Sequence, residues 1–202
     1  IDCQAALRQA GLQAQRVDDA ELCDRVAQEL ANGKLVFWFQ GRMEWGPRAL
    51  GNRSLLADPR REDIRALINA KVKQRESFRP FAPSVPAEEA GAYFDVPATS
   101  PFMMLTVAVK PGAKGIIPAV VHVDGSARVQ TVDRHANPLF HRLLQAFARR
   151  TGVPVLLNTS FNVQEPIVCS PEEAVRCFQR TEVDWLVLGN LLVANQAGSR
   201  LL

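Results

Sequence analysis

The side chains most suited to chemistry are the arginines and lysines of one stretch of the chain. Residues 40–80 contain ten of the 24 Lys and Arg residues but only five of the 21 acidic residues. This stretch therefore has a formal charge of +5, whereas the rest of the 202-residue chain carries −2. Such a local excess favours an anionic ligand, either the phosphates of a small molecule or a nucleic-acid backbone.

Three arginines of this stretch, Arg42, Arg48 and Arg53, lie in the segment GRMEWGPRALGNRS. The segment follows the apolar run 34–39, which predicts a buried strand, and loops at strand ends often bind ligands in α/β proteins. Guanidinium groups on such a loop suit bidentate binding of phosphate or carboxylate. The alternative is a solvated loop with an internal ion pair, for example to Glu44. Neither GxxxxGK[ST] nor GxGxxG is present, so phosphate would bind through side chains.

A second basic segment, KVKQRESFRPFAP, spans residues 71–83. Lys73 lies near the end of a predicted helix, and Arg79 precedes Pro80, which favours an extended backbone at Arg79. An arginine among stiff apolar residues favours a defined pocket. Lys71 and Arg75 are instead interpreted as part of a solvated helix face.

A third segment, HVDGSARVQTV, spans residues 122–132. His122 and Asp124 are two residues apart and would share one side of a strand. Such a pair can act as a general base or form a structural hydrogen bond, and we favour the structural interpretation. Arg128 begins the next alternating run.

A polar segment, NTSFN, follows the predicted strand 153–157 and begins at Asn158. It supplies two amides and two hydroxyls, including that of Ser160. These groups suit a carbonyl or phosphate ligand, and turn or capping chemistry is the equally weighted alternative.

Apolar periodicity and helix-start signals indicate the elements that position these residues. Helices are predicted over 17–32 and after the pairs Asp58-Pro59, Asn137-Pro138 and Ser170-Pro171; strands are predicted over 34–39, 153–157 and 185–188, and a hairpin over 102–123. Because helices and strands alternate, the expected fold class is α/β or mixed α+β. We expect one domain over residues 1–202, with a helical lead-in segment over 1–32 and a core over 33–195.

The cysteines and the hydropathy exclude several classes of protein. Cys3, Cys23, Cys169 and Cys177 form no CxxC pair and show no zinc spacing, so we predict no metal site and expect buried free thiols in a reducing cytoplasm. No apolar run approaches the ~20 residues of a membrane helix. The N-terminal segment lacks a signal-peptide pattern, so the expected location is cytoplasmic.

Together, the motifs resemble the C-terminal domain of the O-carbamoyltransferases, which include nodulation, cephamycin and tobramycin carbamoyltransferases. The resemblance covers residues 33–195 and rests on GRMEWGPRALGNRSLLADPR (41–60), INAKVKQRESFRPFAPSV (68–85), HVDGSARVQTV (122–132) and PVLLNTSFNVQEPIV (154–168). It implies a YrdC-like fold with a twisted mixed sheet flanked by helices. It also implies that a large N-terminal transferase domain is missing, with which the start at Ile1 agrees.

The resemblance further implies an activity. The domain would bind carbamoyl phosphate and ATP, the latter with Mg²⁺, and form carbamoyl-adenylate. The N-terminal domain, which would hold iron, would pass the carbamoyl group to a hydroxyl of an acceptor. By motif position, the catalytic residues at the carbamoyl phosphate end are Lys73, Arg79 and Arg128. The substrate-binding residues are Arg48 and Arg53, which serve the nucleotide phosphates or either end, and Asn158 and Ser160.

Two other functions compete with this one. The same basic segment, and the RNA association suggested for YrdC-like proteins, motivate a nucleic-acid-binding module. We regard it as the weaker alternative because Trp45, Phe78 and Phe81 lack the regular interleaving of a base-stacking platform. The second alternative is a nucleotide-binding scaffold that turns nothing over without the N-terminal domain. A homodimer is a further possible assembly.

Overall fold

The computed structural model describes residues 2–76 and 78–195. The strands in chain order are β1 (Gln15–Arg16), β2 (Val36–Phe39), β3 (Arg53–Ala57), β4 (Ala82–Pro86), β5 (Thr106–Ala108), β6 (Ser126–Arg128), β7 (Gln130–Val132), β8 (Leu156–Ser160), β9 (Trp185–Leu188) and β10 (Leu191–Ala194). The α-helices are α1 (Cys3–Gln9), α2 (Asp19–Ala31), α3 (Ile64–Ile68), α4 (Ala90–Tyr93), α5 (Pro111–Lys114), α6 (Pro138–Thr151) and α7 (Pro171–Gln179).

Eight strands form one mixed sheet in the order β1-β10-β9-β2-β3-β8-β4-β7, and β5 pairs with β6 in a small separate sheet. The pairs β2–β9 and β4–β7 are parallel, and the other neighbours are antiparallel. This arrangement confirms the predicted mixed α/β class, with a mixed sheet flanked by helices.

Helices cover both faces of the sheet. Along β2, Val36 and Trp38 pack with α2 and α6, whereas Phe37 and Phe39 pack on the opposite face with α1, α3 and α7. A strand that is covered on both faces is apolar at every position, since successive side chains point to opposite faces. This explains why β2 is an unbroken apolar run.

Two predicted helix starts, at Asn137-Pro138 and Ser170-Pro171, are confirmed by their caps, and the helix predicted over 17–32 spans Asp19–Ala31. Asp18 accepts hydrogen bonds from the backbone N–H groups of the first turn of α2. Asn137 caps α6, which begins at Pro138 and ends at Gly152 in the left-handed conformation (φ 74°). Ser170 and Glu173 form a capping box on α7. Each signal is local, so the sequence alone was enough to place it.

The helix predicted to begin at Asp58-Pro59 begins instead at Ile64. The Asp58 carboxylate accepts hydrogen bonds from the backbone N–H and the guanidinium of Arg60, so it closes a turn rather than capping a helix. After α3 the chain continues as a π-helical turn over Asn69–Lys73, which ends at Gln74 in the left-handed conformation.

The hairpin predicted over 102–123 was wrong. β5 pairs with β6, in the register Thr106 opposite Arg128, and not with residues 116–123. Pro111 begins the short helix α5, and Pro118 begins a 3₁₀ turn over Pro118–Val120. Proline fixes φ and lacks an N–H, so both positions favour the first turn of a helix over a strand.

The cysteines are free within the described residues. Burial raises the pKa of the Cys23 and Cys177 thiols to about 12. Cys3 is half-buried and Cys169 is exposed, so the expectation of burial was wrong for Cys169. No described helix combines the length and the hydropathy that crossing a membrane would require. The single-domain assignment stays a prediction, although β1 of the lead-in segment pairs with β10.

Candidate anion-binding site

A cavity of about 120 Å³ lies where the loop before β3, the start of β4, the end of β6 and strand β8 meet. Its polar wall consists of Arg48, Arg75, Arg128, Asn158, Thr159 and Ser160. A groove of about 420 Å³ shares Arg75 and Ser160 with the cavity, so the two are adjacent, and Lys73, Arg79 and Asn162 also line it. Of the seven predicted site residues, four line the cavity and a fifth and sixth line the groove.

Arg48 and Arg128 lie in the cavity without a hydrogen bond or ion pair to any group in the described part of the chain. Arg128 is half-buried, and its Nε atom is buried without a hydrogen-bond partner. Burial, followed by the positive charge of Arg48, lowers the pKa of Arg128. Buried charges are normally paired, so the half-buried Arg128, with the exposed Arg48 beside it and no carboxylate partner for either, indicates a site for an anion.

Arg75 also belongs to the site, although its sequence context indicated a solvated helix face. Its Nε donates to Asn69 Oδ1 at 2.8 Å, and its guanidinium lies over the Phe81 ring, 5.0 Å from the centroid. Burial, followed by the charge of Arg79, lowers its pKa. The π-helical turn and the left-handed Gln74 redirect the chain at this point. No local sequence pattern encodes such a turn, so sequence reasoning missed this residue.

Lys73 binds the chain at the end of β8. It is 3% exposed, and its Nζ donates to the carbonyl oxygens of Ser160 and Asn162 at 2.6 and 2.8 Å. The Oδ1 atom of Asn162 lies 2.7 Å away, and Ser160 Oγ lies 3.2 Å away. Burial, followed by the charge of Arg75, lowers the pKa of Lys73 to about 7. Because Lys73 binds these four oxygens of Ser160 and Asn162, it positions Ser160 in the site.

Arg53 is not brought together with the other predicted site residues. It is 1% exposed and lines neither the cavity nor the groove. Its guanidinium donates to the carbonyl oxygens of Gln40 (2.7 Å) and Gly41 (3.2 Å), and it lies 3.5 Å from the centroid of the Phe39 ring. Burial lowers its pKa, an effect that the charge of Glu44 partly opposes. Its guanidinium thus links the residues directly after β2, Gln40 and Gly41, to the start of β3.

Glu44 fixes the loop that carries Arg48. One carboxylate oxygen, Oε1, accepts hydrogen bonds from the backbone N–H groups of Leu50 (2.7 Å), Asn52 (2.8 Å) and Arg53 (3.1 Å). The sequence interpretation placed this carboxylate against an arginine side chain. The structure shows instead that it organises the backbone on which the arginines stand.

Asn158 and Ser160 lie on β8 and line the cavity. The amide nitrogen of Asn158 donates to Ser84 Oγ (2.9 Å) and Gln130 Oε1 (3.1 Å), whereas its Oδ1 atom is buried without a partner. Ser160 Oγ donates to Asn162 Oδ1 at 2.7 Å. The polar loop predicted from residue 158 is therefore in part the end of a strand.

Arg79 and the His122–Asp124 pair do not line the cavity. Arg79 is exposed and forms an ion pair with Glu76 at 3.3 Å on the rim of the groove. Asp124 Oδ1 accepts from the N–H of Ser126, and His122 Nδ1 lies 3.2 Å from Ser126 Oγ, so both side chains contact Ser126. Residues 123–124 form a turn rather than the expected strand, and the structural role of the pair stays a prediction. The described residues contain no group of three or more His, Cys, Asp or Glu that could hold a metal ion. Hence we can name no protein ligands for Mg²⁺.

Fold and site together define an α/β domain with a cationic cavity at one end of a central strand. Residues 27–195 match the family model described as Carbamoyltransferase C-terminus, and the chain belongs to this family. The solved structure of full-length HypF in its phosphate- and nucleotide-bound form has the same fold, with a TM-score of 0.54 and 21% identity over 88% of this chain and 22% of that chain.

Two curated relatives support the family assignment. The nodulation protein NolNO of Sinorhizobium fredii is 47% identical over 93% of this chain. A 3'-hydroxymethylcephem-O-carbamoyltransferase of Amycolatopsis lactamdurans is 49% identical over 69% of this chain. The matches span 28% and 26% of the two relatives, so this chain corresponds to less than a third of either protein.

Proposed function

We propose that this domain binds carbamoyl phosphate and ATP in the cationic site and forms carbamoyl-adenylate, and that a separate N-terminal transferase domain of the intact protein carbamoylates a hydroxyl. Family membership and the name of the cephem O-carbamoyltransferase support the transfer of a carbamoyl group to oxygen. Iron belongs, in this proposal, to that other domain, and the whole acts in the cytoplasm.

The observation that carries the proposal is the pair of arginines, Arg48 and Arg128, in one cavity with no carboxylate partner among the described residues. Carbamoyl phosphate and ATP together bring about six negative charges, because each terminal phosphate carries close to two. Arg75 and Arg79 extend the positive charge along the adjacent groove, which Lys73, with a pKa lowered to about 7, also lines. Fixed guanidinium groups can offset the repulsion between two such reactants and hold them in contact.

The reaction balances in the following way. Water first cleaves the bond between the carbamoyl group and the phosphate of carbamoyl phosphate, which gives carbamate and inorganic phosphate. A carbamate oxygen then forms a bond to the α-phosphorus of ATP, and pyrophosphate leaves. The products are carbamoyl-adenylate, inorganic phosphate and pyrophosphate in equal amounts. The residues of this chain contribute positive charge to the phosphates in both steps.

Asn158 suits the carbamoyl end of the substrate. Its Oδ1 atom is buried without a partner, whereas its amide nitrogen is already bound to protein oxygens. A carbamoyl group carries an NH₂ donor, and an orphaned buried acceptor is the complement of such a donor.

The test is release of pyrophosphate from ATP in the presence and absence of carbamoyl phosphate. We expect pyrophosphate release that depends on carbamoyl phosphate, with one inorganic phosphate formed for each pyrophosphate. Arg128→Gln lowers kcat/KM at least tenfold, because hydrogen bonds to charged groups contribute about 1.5–3 kcal/mol. Arg149→Gln, an exposed arginine at the end of α6, is the matched control and leaves the rate unchanged.

Two outcomes support the alternatives instead. Binding of ATP and carbamoyl phosphate without pyrophosphate release makes the chain a nucleotide-binding scaffold. RNA binding that falls steeply with salt and is indifferent to carbamoyl phosphate makes it a nucleic-acid-binding module.

A further inference from the structure

Two non-glycine residues in the described part of the chain have a positive φ, and both line the site. Gln74 (φ 48°) lies in the groove, and Met103 (φ 54°) lies in the cavity. A left-handed backbone at such residues costs about 1–2 kcal/mol, and it persists where the surrounding structure requires it. Gln74 ends the π-helical turn, which accounts for its conformation. Met103 ends no helix; it lies in a bend directly after the turn at Pro101 and Phe102.

The backbone around Met103 turns one apolar side chain inward. Met103 is 3% exposed, whereas its neighbours Phe102 and Met104 are 63% and 78% exposed. The segment is anchored on both sides: Ser100 Oγ donates to the carbonyl oxygen of Val129 at 2.9 Å, and Thr106 pairs with Arg128. The anchors hold Met103 against the strand that carries Arg128.

The Met103 side chain offers an anion neither a charge nor a hydrogen-bond donor. It nevertheless lines the cavity that holds Arg48 and Arg128, and it does not line the adjacent groove. The cavity measures about 120 Å³ and the groove about 420 Å³. Met103 therefore restricts the room beside the two unpaired guanidinium groups without contributing to their ligand.

We propose that Met103 is a specificity-determining residue that restricts the cavity to an anion with a single phosphate group and excludes a polyphosphate from it. This inference rests on the proposed function, because it assigns the single phosphate of carbamoyl phosphate to the cavity and the polyphosphate of ATP to the groove. Lys73 and Arg79, which the family resemblance placed at the carbamoyl phosphate end, line the groove and so lie beside ATP in this assignment. The apolar thioether also lowers the polarity beside the half-buried Arg128, which strengthens its attraction for the smaller anion.

The experiment measures the affinities of inorganic phosphate and pyrophosphate by calorimetric titration. Met103→Gly removes the side chain and, at a positive φ, also removes backbone strain, so the variant is expected to fold. We expect pyrophosphate to bind roughly tenfold more tightly to Met103→Gly, because a second phosphate gains at least one charge-assisted hydrogen bond. Phosphate affinity changes by less than about threefold, since its own contacts remain.

Three controls locate the effect. Met104→Ala changes the exposed neighbour and leaves both affinities as they were. The gain in pyrophosphate affinity disappears in the double variant Met103→Gly/Arg128→Gln, since additional contacts in the cavity require Arg128. Met103→Leu, which conserves the volume of the side chain, keeps the selectivity of the unmodified chain.

The inference is overturned if Met103→Gly strengthens both anions equally, strengthens neither, or still gains pyrophosphate affinity without Arg128. Failure of the proposed function has a different signature. In that case the unmodified chain releases no pyrophosphate from ATP with carbamoyl phosphate, whatever the anion selectivity of the Met103 variants.

Discussion

The guanidinium groups of Arg48 and Arg128 share one cavity, and burial, followed by the positive charge of Arg48, lowers the pKa of Arg128. Neither forms an ion pair with any of residues 2–76 or 78–195. Arg128 also buries an Nε atom without a hydrogen-bond partner. Arg128 is half-buried without a partner, whereas Arg48 is exposed, so an anion bound beside both charges offsets the burial of Arg128.

The first prediction concerns Arg128→Gln and thermal unfolding. Without ligand, the variant unfolds at the same or a higher temperature, because a repulsive, partly buried charge is removed. With inorganic phosphate, the unmodified chain gains stability by about 2.7 kcal/mol at a concentration 100-fold above Kd, and the variant gains far less. Thermal denaturation with and without phosphate measures both effects. The phosphate response persists in Arg149→Gln. An equal response in Arg128→Gln contradicts the assignment.

The second prediction concerns Glu44, whose Oε1 atom accepts three backbone hydrogen bonds from the Arg48 loop and β3. Glu44→Ala lowers the free energy of unfolding by about 2–4 kcal/mol, because three N–H groups lose a charged acceptor. Glu44→Gln costs less, since the amide oxygen still accepts. Urea unfolding measures both changes. Glu62→Ala removes an exposed carboxylate just before α3 and stays within about 0.5 kcal/mol of the unmodified chain. A similar loss there would contradict the role of Glu44.

Much of the fold could be predicted because its signals are local. The caps at Asp18, Asn137 and Ser170 each lie within a few residues of the helix they begin. The apolar run of β2 indicates a strand covered on both faces. Pairing between distant strands is not local, and for this reason the partner of β5 was assigned to 116–123 rather than β6.

The site was predicted in part for the same reason. The charge of its Gly- and Pro-containing loop singled out Arg48, the family resemblance added Arg128, and the two share a cavity. Those criteria could not distinguish Arg53 from an arginine that lines the cavity. Arg53 lies on β3, and its buried guanidinium donates to the carbonyl oxygens of Gln40 and Gly41. Nor could those criteria find Arg75, because a π-helical turn, set by packing, brings it to the site. Burial and long-range contacts decide these positions, and neither is a property of a short sequence.

The third prediction compares two glycines of the arginine-rich loop. Gly51 has a φ of +103°, and a Cβ atom there would fall against the ring of the buried Phe140. Gly51→Ala therefore lowers the free energy of unfolding by about 3 kcal/mol or more, from steric overlap and backbone strain together. Gly46 has a similar φ of +107° but open space around it, so Gly46→Ala costs about 1 kcal/mol. Denaturant unfolding separates the two contributions, and equal losses would show that the Phe140 contact contributes nothing.

The fourth prediction concerns pH and Lys73, whose pKa is lowered by burial from 10.5 to about 7. Between pH 7 and 9 the unfolded chain keeps the proton that the folded chain releases, so the free energy of unfolding rises with pH. This contribution amounts to at most about 1.4 kcal/mol per pH unit. Lys73→Met loses it, and the slope of stability against pH falls by that amount. Urea unfolding at pH 7, 8 and 9 gives the two slopes.

Lys71→Met is the matched control for this measurement. Lys71 is exposed, and its contact with Glu182 raises its pKa above 10.5, so it stays protonated in both states between pH 7 and 9 and adds no slope. The absolute stability of Lys73→Met falls because Ser160 and Asn162 lose their donor, so slopes are compared rather than stabilities. Parallel slopes for Lys73→Met and the unmodified chain contradict the lowered pKa. They would mean that the four surrounding oxygens keep Lys73 charged, and that the groove holds a permanent cation at this position.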